Sequence, residues 1–147
     1  MVNSVGEEEY DRLMNLSMDD FDQSPDGFRK HSADYDLIKY LIPEYIEFNA
    51  LSKGESRNLH WHLGQMYAIN NNSDAAIEEM KQSYVDGSKT WECYVNGTIA
   101  FLQKDKAALM ESLEALSQQE NQMNIEFLEK FVTNFEASYK EAYKANY

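Results

Sequence analysis

The amino-acid sequence predicts an all-α protein, and three observations support that prediction. Apolar side chains recur roughly every three to four residues along most of the chain, which is the period of an amphipathic helix. Only six glycines and two prolines occur in 147 residues, whereas β proteins need many turn residues. The polar segments between the apolar ones are short, and short connections favour antiparallel packing of consecutive helices. We therefore expect one domain, residues 1–147, built from antiparallel helical hairpins.

The N-terminal part of the chain, residues 1–32, is acidic and predicts a short helix followed by a loop. Residues 7–16 show helical periodicity, and the glutamates at their start suit the positive end of a helix dipole. Residues 17–32 lack a sustained period and contain Pro25 and Gly27, which are typical of turns.

The next segment, residues 33–56, predicts a long helix and a turn. Apolar side chains lie on one broad face over residues 33–50, and Ser32 is the expected N-cap. Pro43 lies inside this helix and lacks the backbone donor that a continuous helix needs, so we expect a kink or a break there. Residues 51–56 (LSKGES) predict the turn that follows.

Apolar periodicity then predicts five further helices, each separated from the next by a short polar turn. These helices are expected near residues 57–70, 73–86, 89–102, 105–118 and 122–144. Such a series indicates either a stack of hairpins or a compact bundle.

A motif of small and large side chains at fixed spacing lies in the first two of these helices. Leu63, Gly64 and Tyr67 form the pattern L-G-x2-Y, and Ala76 takes the small-residue position of the following helix. Gly64 and Ala76 would let two antiparallel helices approach closely, while Leu63 and Tyr67 would fill the space between helix pairs.

This pattern resembles the tetratricopeptide repeat. A weaker copy contains Gly97 and Ala108, roughly one repeat length of 34 residues later. The resemblance implies that residues 57–118 form two antiparallel hairpins of a right-handed α–α superhelix. Residues 33–56 would then be a degenerate half-repeat, and residues 119–147 a capping helix that covers the end of the stack. A compact helical bundle is the alternative fold.

The resemblance also implies a function, because proteins of this family mostly bind a peptide or protein segment in a concave groove lined by their first helices. We therefore expect a small protein-interaction module. The register of the motif implies that one partly exposed groove is lined by Trp61, Gln65, Trp91, Tyr94 and Thr98. Aromatic side chains at helical spacing usually belong to the core, and this is the other interpretation of the three aromatic residues in the set.

An alternative function is the binding of a small ligand or an ion through residues 17–32 and the Trp and His side chains. Asp22, Ser24 and Asp26 match the start of a calcium-binding loop. The match then fails, because Lys30 stands at the ninth position and the closing glutamate is missing. We therefore expect weak calcium binding at most, and a turn capped by Asp and Ser side chains is the other interpretation.

The histidines do not predict a shared metal site. His60 and His62 lie two residues apart on a predicted helix, which separates them by roughly 200° around its axis. A helical metal pair needs one face, as in H-E-x-x-H. We expect a packing or hydrogen-bonding role for each of the two, and the sequence assigns no role to His31.

The net charge of −13 limits the classes of partner. Nucleic-acid phosphates are bound by clusters of Lys and Arg, and because the sequence contains no such cluster, we expect no nucleic-acid partner. The charge favours a partner that is basic or neutral, since like charges slow encounter. No apolar stretch reaches the ~18 residues of a membrane span, so no membrane insertion is expected. On the last helix Tyr139 and Tyr143 form a stripe that is either a capping contact or a homodimer surface.

No recognised catalytic or cofactor motif occurs in the sequence. There is thus no positive case for an enzyme, and we expect no cofactor. Cys93 is the only cysteine, so no internal disulfide can form. The start of the sequence does not resemble a signal peptide. A cytoplasmic location is the default expectation, and a secreted or periplasmic protein trimmed of its leader is the alternative.

Overall fold

The computed structural model describes residues 5–119 and 122–145, and every regular element within those ranges is helical. The all-α fold class is therefore confirmed. The elements are α1 (Glu7–Met14), α2 (Met18–Asp22), a 3-10 helix (Phe28–His31), α3 (Tyr35–Phe48), α4 (Lys53–Ile69), α5 (Ser73–Lys81), α6 (Lys89–Leu102), α7 (Lys106–Ser117), α8 (Gln122–Thr133) and α9 (Tyr139–Lys144). None of these helices is both long and apolar enough to cross a membrane.

The prediction of a loop over residues 17–32 is wrong in part, because α2 and the 3-10 helix lie within it. Ser17 starts α2 by accepting a hydrogen bond from the backbone N–H of Asp20 at 3.1 Å. Gly27 lies directly against α2, where a β-carbon would overlap the carbonyl of Phe21. This glycine therefore permits a close approach of two backbone segments and does more than mark a turn.

Helix α3 continues through Pro43, so the break expected at that residue does not occur. Five side chains of α3 are buried, and this burial offsets the one backbone hydrogen bond that a proline cannot make. The N-cap is Asp34 and not Ser32, because the Asp34 carboxylate accepts a hydrogen bond from the backbone N–H of Leu37 at 3.1 Å. Aspartate and serine are equally good N-caps, so propensity could not choose between them.

Helix α4 begins at Lys53, inside the segment 51–56 that was expected to be a turn. A capping box explains this early start. The Ser52 hydroxyl accepts a hydrogen bond from the backbone N–H of Glu55 at 3.2 Å, and the Glu55 carboxylate accepts one from the backbone N–H of Ser52 at 3.0 Å. The two bonds satisfy two of the donors that a helix start leaves open.

Helices α4 and α5 form an antiparallel hairpin, as the motif predicts. His60 contacts Glu79 while Gly64 lies against Ala76, so the residue numbers of the two helices run in opposite directions. Gly64 and Ala76 are both buried. Helix α5 ends at Lys81, earlier than the expected end near residue 86.

Helices α6 and α7 form the second hairpin, and α6 keeps the predicted bounds of residues 89–102. A β-carbon at Gly97 would lie 3.2 Å from Cβ of Ser112 on α7 and 2.7 Å from the Leu128 side chain on α8. Gly97 therefore allows both α7 and α8 to approach α6 closely, much as Gly64 allows α5 to approach α4.

The helix expected over residues 122–144 is in fact two helices, α8 and α9. Lys104, in the turn between α6 and α7, donates hydrogen bonds to the carbonyls of Phe135 at 2.6 Å and Ala137 at 2.7 Å. These bonds satisfy two carbonyls of the turn between α8 and α9, and Ser138 then starts α9 by accepting from the backbone N–H of Glu141. A contact distant in sequence thus stabilises the break.

Two apolar cores meet at α4, which is buried from two directions. Leu59 and Leu63 belong to a core formed with α1, α2 and α3. Trp61 and Ala68 belong to a second core formed with helices α5 to α9. Helix α4 is therefore the shared wall between the N-terminal segment and the two hairpins.

The close approach at Gly64 can be tested by substitution. Gly64→Leu should lower the free energy of unfolding by about 1–3 kcal/mol, because overpacking forces the neighbours apart. A β-carbon at this position already lies 2.7 Å from Met80 Cγ and 3.1 Å from the Ala76 carbonyl oxygen. The control is Gly54→Leu on the same helix, where a β-carbon meets nothing within 4 Å. Urea denaturation measures both, and an equal effect of the two substitutions would contradict this packing.

Candidate functional site

The three aromatic side chains that were predicted to line the groove lie together. The ring centroids of Trp61 and Trp91 are 5.0 Å apart, those of Trp61 and Tyr94 are 5.3 Å apart, and those of Trp91 and Tyr94 are 5.7 Å apart. Edge and tilted contacts of this kind are the arrangements that aromatic rings prefer. Helix α4 supplies the first ring and α6 the other two, and we call these three residues the aromatic cluster.

The expectation that the groove residues are exposed is wrong for three of them. Trp61 is 6% exposed, Tyr94 is 4% exposed and Thr98 is fully buried. The Thr98 hydroxyl donates a hydrogen bond to the Tyr94 carbonyl of its own helix, at 2.9 Å. Phe127 of α8 packs on Tyr94, with ring centroids 6.2 Å apart, a contact that sequence register alone could not show.

Helix α9 lies against the inner face of α4. The Gln65 side-chain amide donates a hydrogen bond to the Tyr139 hydroxyl at 3.1 Å, and Tyr139 is itself buried. Tyr143 stacks on Phe127 of α8 with centroids 4.6 Å apart. The tyrosine stripe is therefore a capping contact within the chain, and Tyr139 is buried in that contact and cannot form a homodimer surface.

Burial also affects the ionisation of two phenols in this region. Desolvation raises the pKa of Tyr139 and of Tyr94 above the usual value for a tyrosine. Both hydroxyls therefore keep their protons to a higher pH than an exposed tyrosine would.

One end of the aromatic cluster remains accessible, and two adjoining depressions meet there. The larger, of about 380 Å³, is lined by Lys53, Gly54, Arg57, Tyr84, Val85 and Asp86. The smaller, of about 260 Å³, is lined by Arg57, Val85, Ser88, Thr90, Trp91 and Asn124. Both include Arg57 and Val85. We call the two depressions together the Trp91 mouth.

Trp91 is held firmly at this mouth. Its indole N–H donates a hydrogen bond to the Ser83 carbonyl at 2.7 Å, and its ring packs against the two buried members of the aromatic cluster. The Arg57 guanidinium lies over the same ring, 5.8 Å from the centroid. Both Trp91 and Arg57 are partly exposed, so a bound group could reach them.

Sequence reasoning missed Arg57, Val85 and Asn124 as lining residues. A signal for Arg57 was present, because it stands one helical turn before Trp61 and so shares its face of α4. No comparable signal marks Val85. Apolar periodicity predicts a helix to about residue 86, whereas α5 ends at Lys81 and leaves Val85 in the loop that follows. Asn124 comes to the mouth only through the packing of α8 on α6.

Two wider depressions, of about 610 and 600 Å³, lie over the N-terminal segment. Four of the charged groups along them form one network. Glu9 contacts Arg12 at 2.5 Å, His31 at 2.8 Å and Lys30 at 3.6 Å. These ion pairs form a structural network on this surface, whereas Arg57 forms no ion pair with a described residue.

The expected weak calcium ligands are engaged in other contacts. One Asp22 carboxylate oxygen hydrogen-bonds with His62 Nδ1 at 2.7 Å, and the other accepts from the Gln23 side-chain amide at 2.7 Å. The Ser24 hydroxyl accepts from the backbone N–H of Asp26 at 3.1 Å, as in a capped turn. The arrangement therefore matches the capped turn, which is the other interpretation of this segment.

Asp22 is buried, and burial is the largest influence on its ionisation. Burial opposes the charged form, but the hydrogen bonds from His62 and Gln23 and the charges of His62 and Arg29 outweigh it and lower the pKa of Asp22. The His62–Asp22 pair joins α4 to α2 across the N-terminal core.

The other two histidines also contact a carboxylate from a different element. His60 Nδ1 lies 2.7 Å from Glu79 of α5, and His31 Nε2 lies 2.8 Å from Glu9 of α1. His60 and His62 thus face different elements, as their angular separation predicts. Within residues 5–119 and 122–145 no group of three or more His, Cys, Asp or Glu side chains is placed to hold a metal ion.

No family model, curated protein or solved structure matches this chain. The fold and site therefore define its class: an all-α protein of helical hairpins with an accessible aromatic mouth. The resemblance to tetratricopeptide repeats stays a prediction that depends on the motif around Gly64.

The difference in burial between two histidine pairs leads to a test of stability. His62→Ala should lower the free energy of unfolding by about 1–3 kcal/mol, because the Asp22 side chain is only 4% exposed and would lose a partner. His60→Ala should cost less, since the Glu79 side chain is 26% exposed and can turn to water. Urea denaturation at pH 7 compares them, and equal losses would contradict the burial argument.

The network around Glu9 predicts a pH dependence of stability. The hydrogen bond from Arg12 is the main cause that lowers the pKa of Glu9 from 4.5 to about 2. Because the folded pKa is depressed, the unfolded state binds more protons between these two values. The stabilisation is therefore complete above about pH 4.5 and is lost as pH falls toward 2. Denaturation of wild type and Glu9→Gln across this range should converge with acidification.

Arg12→Gln serves as the matched variant for this pH test. Removing either partner of the Glu9–Arg12 pair should weaken the pH dependence, and removing both should add little, since one interaction is shared. Fully additive effects in the double mutant would contradict the assignment.

Proposed function

We propose that this protein is a small interaction module that binds a segment of a partner protein at the Trp91 mouth. The observation that supports the proposal most directly is Trp91 itself. It is a partly exposed tryptophan that packs against the buried rings of Trp61 and Tyr94 and lines the smaller of the two adjoining depressions. Tryptophan residues in such positions dominate the binding energy of many interfaces.

Rigidity of the Trp91 side chain favours this role. The hydrogen bond to Ser83 and the contacts with Trp61 and Tyr94 hold the indole in one orientation before any partner arrives. A side chain that is already ordered loses little conformational entropy on binding, so more of the contact energy appears as affinity. The apolar part of the indole supplies contact area.

The mouth replaces the groove that the repeat resemblance implies. The inner faces of α4 and α6 pack against α8 and α9, as the contacts of Gln65 with Tyr139 and of Gly97 with Leu128 illustrate. A partner segment would therefore meet the end of this face and not its length. The superhelical stacking of the two hairpins is part of the same proposal, supported by the equivalent packing of Gly64 and Gly97.

The proposed partner is a protein segment that is neutral or basic overall. The net charge of −13 would slow the approach of a strongly acidic protein. Two shallow depressions side by side suit an extended segment better than one enclosed small molecule, because small-molecule pockets bury most of their ligand.

A display experiment tests the proposal. A random peptide library is selected on the full chain, and enriched peptides are measured by the change in tryptophan fluorescence. Val85→Glu should weaken binding by about tenfold or more, equivalent to about 1.4 kcal/mol, because Val85 lines both depressions.

Gln82→Glu is the matched control for this binding test. It adds the same negative charge to the same loop, and Gln82 is exposed and lines neither depression. Its binding should equal that of wild type. The proposal fails if no peptide is enriched or if Val85→Glu binds the enriched peptides as tightly as Gln82→Glu. Trp61→Ala and Tyr94→Ala are unsuitable here, because both side chains are buried and their loss would disturb folding.

A further inference from the structure

We infer that the Trp91 mouth recognises an aspartate or glutamate side chain within the bound segment, flanked by apolar residues, and that Arg57 is the group that binds it. This inference rests on the function proposed above and names the chemistry of the ligand.

The first argument is that Arg57 is the one arginine left uncommitted in the described part of the chain. Arg12 is paired with Glu9, and Arg29 donates to the Asp22 carbonyl and lies 3.9 Å from its carboxylate. For Arg57 the contact with a described residue is the Trp91 ring, with no ion pair or hydrogen bond. In a chain with 26 acidic residues, this arginine has remained unpaired.

The position of Arg57 suits it to a carboxylate. The Arg57 guanidinium lies over the Trp91 ring at a centroid distance of 5.8 Å, and this cation–π contact uses none of its N–H donors. Carboxylates accept two parallel hydrogen bonds from a guanidinium, and these charge-assisted bonds are stronger than neutral ones. Arg57 lines both depressions, so its donors are available from either side.

Surrounding charges add to this preference. Lys53 stands one helical turn before Arg57 on the same face of α4 and lines the larger depression. Ser88 is the N-cap of the 14-residue helix α6, whose first amides add positive potential beside Thr90, and Glu92 in the same turn offsets part of it. Asp86 opposes them from the loop but forms no ion pair with Arg57.

The arrangement of the depressions favours an internal acidic residue over a chain end. Arg57 and Val85 are the residues that the two depressions share, so apolar and polar surface extends beyond Arg57 on both sides. A segment that passes over Arg57 fills both depressions, whereas a terminal carboxylate would leave one of them empty. The flanking residues would meet Tyr84 in the larger depression and Trp91 in the smaller one.

Blocked tripeptides test the inference. The probes are acetyl-Leu-Glu-Leu-amide and acetyl-Leu-Gln-Leu-amide, which differ in one charge, and binding is followed by NMR at the Arg57 Nε–H and Trp91 indole N–H signals. The glutamate peptide should bind about tenfold more tightly, as expected for one charge-assisted contact. Arg57→Gln should abolish this difference, and Lys140→Gln, which removes an equal charge at an exposed site on α9, should preserve it.

Each alternative result has a defined meaning. Equal binding of the two tripeptides by wild type overturns the inference, and enriched library peptides that still lose affinity with Val85→Glu would leave the proposed function standing. A preference for glutamate that persists in Arg57→Gln assigns the carboxylate to another group and overturns the inference too.

A third probe separates an internal acidic residue from a chain end. It is acetyl-Leu-Gln-Leu with a free carboxylate, and binding as tight as that of the glutamate peptide would show that a chain end is the ligand and would overturn the inference. Failure of all probes together with an unenriched library would remove the proposed function as well.

Discussion

Burial of α4 from two directions is the constraint on which the other features depend. Leu59 and Leu63 extend into the N-terminal core, while Trp61 and Ala68 extend into the core of the hairpins. Because neither core is complete without α4, the orientation of this helix about its axis is fixed. Its polar side chains are fixed with it, so that His62 meets α2, Gln65 meets α9 and Arg57 faces the mouth.

The hairpins leave an apolar face that the chain covers with its own C-terminal helices. Repeat proteins need a terminal element of this kind, because the last unit would otherwise expose its apolar side. Here the cover reaches across both hairpins. Leu128 packs on Gly97, and Tyr139 hydrogen-bonds with Gln65. A surface that could have served as a long groove is used for stability, and accessible aromatic surface remains at its end.

The sequence predicted the helices well and their ends poorly, for identifiable reasons. Apolar periodicity is a local property and located every hairpin helix, and the motif around Gly64 located the close approach of α4 and α5. The break between α8 and α9 is held by Lys104, which lies some thirty residues away from the carbonyls it binds, at 2.6 and 2.7 Å, so that contact could not be predicted locally. Local signals exist at two helix starts, because Ser52 with Glu55 and Ser138 with Glu141 both match the capping pattern. The burial of Tyr94 depends on the packing of α8, so the sequence could not decide between a groove position and a core position for this ring.

The distribution of charge illustrates why the candidate site could not be predicted from the sequence alone. From the sequence, a net charge of −13 suggests a basic or neutral partner. That argument applies while the partner is still far from the surface, where the summed field of the whole protein acts on it. Within about 8 Å, the screening length at physiological ionic strength, the nearest groups decide. At the mouth those groups are Arg57 and Lys53, with Asp86 opposing them from the loop. A partner can therefore be neutral or basic as a whole and still present an acidic residue at the point of contact. Under the proposed function, the net charge would control how fast such a partner arrives, and Arg57 would control which of its segments binds.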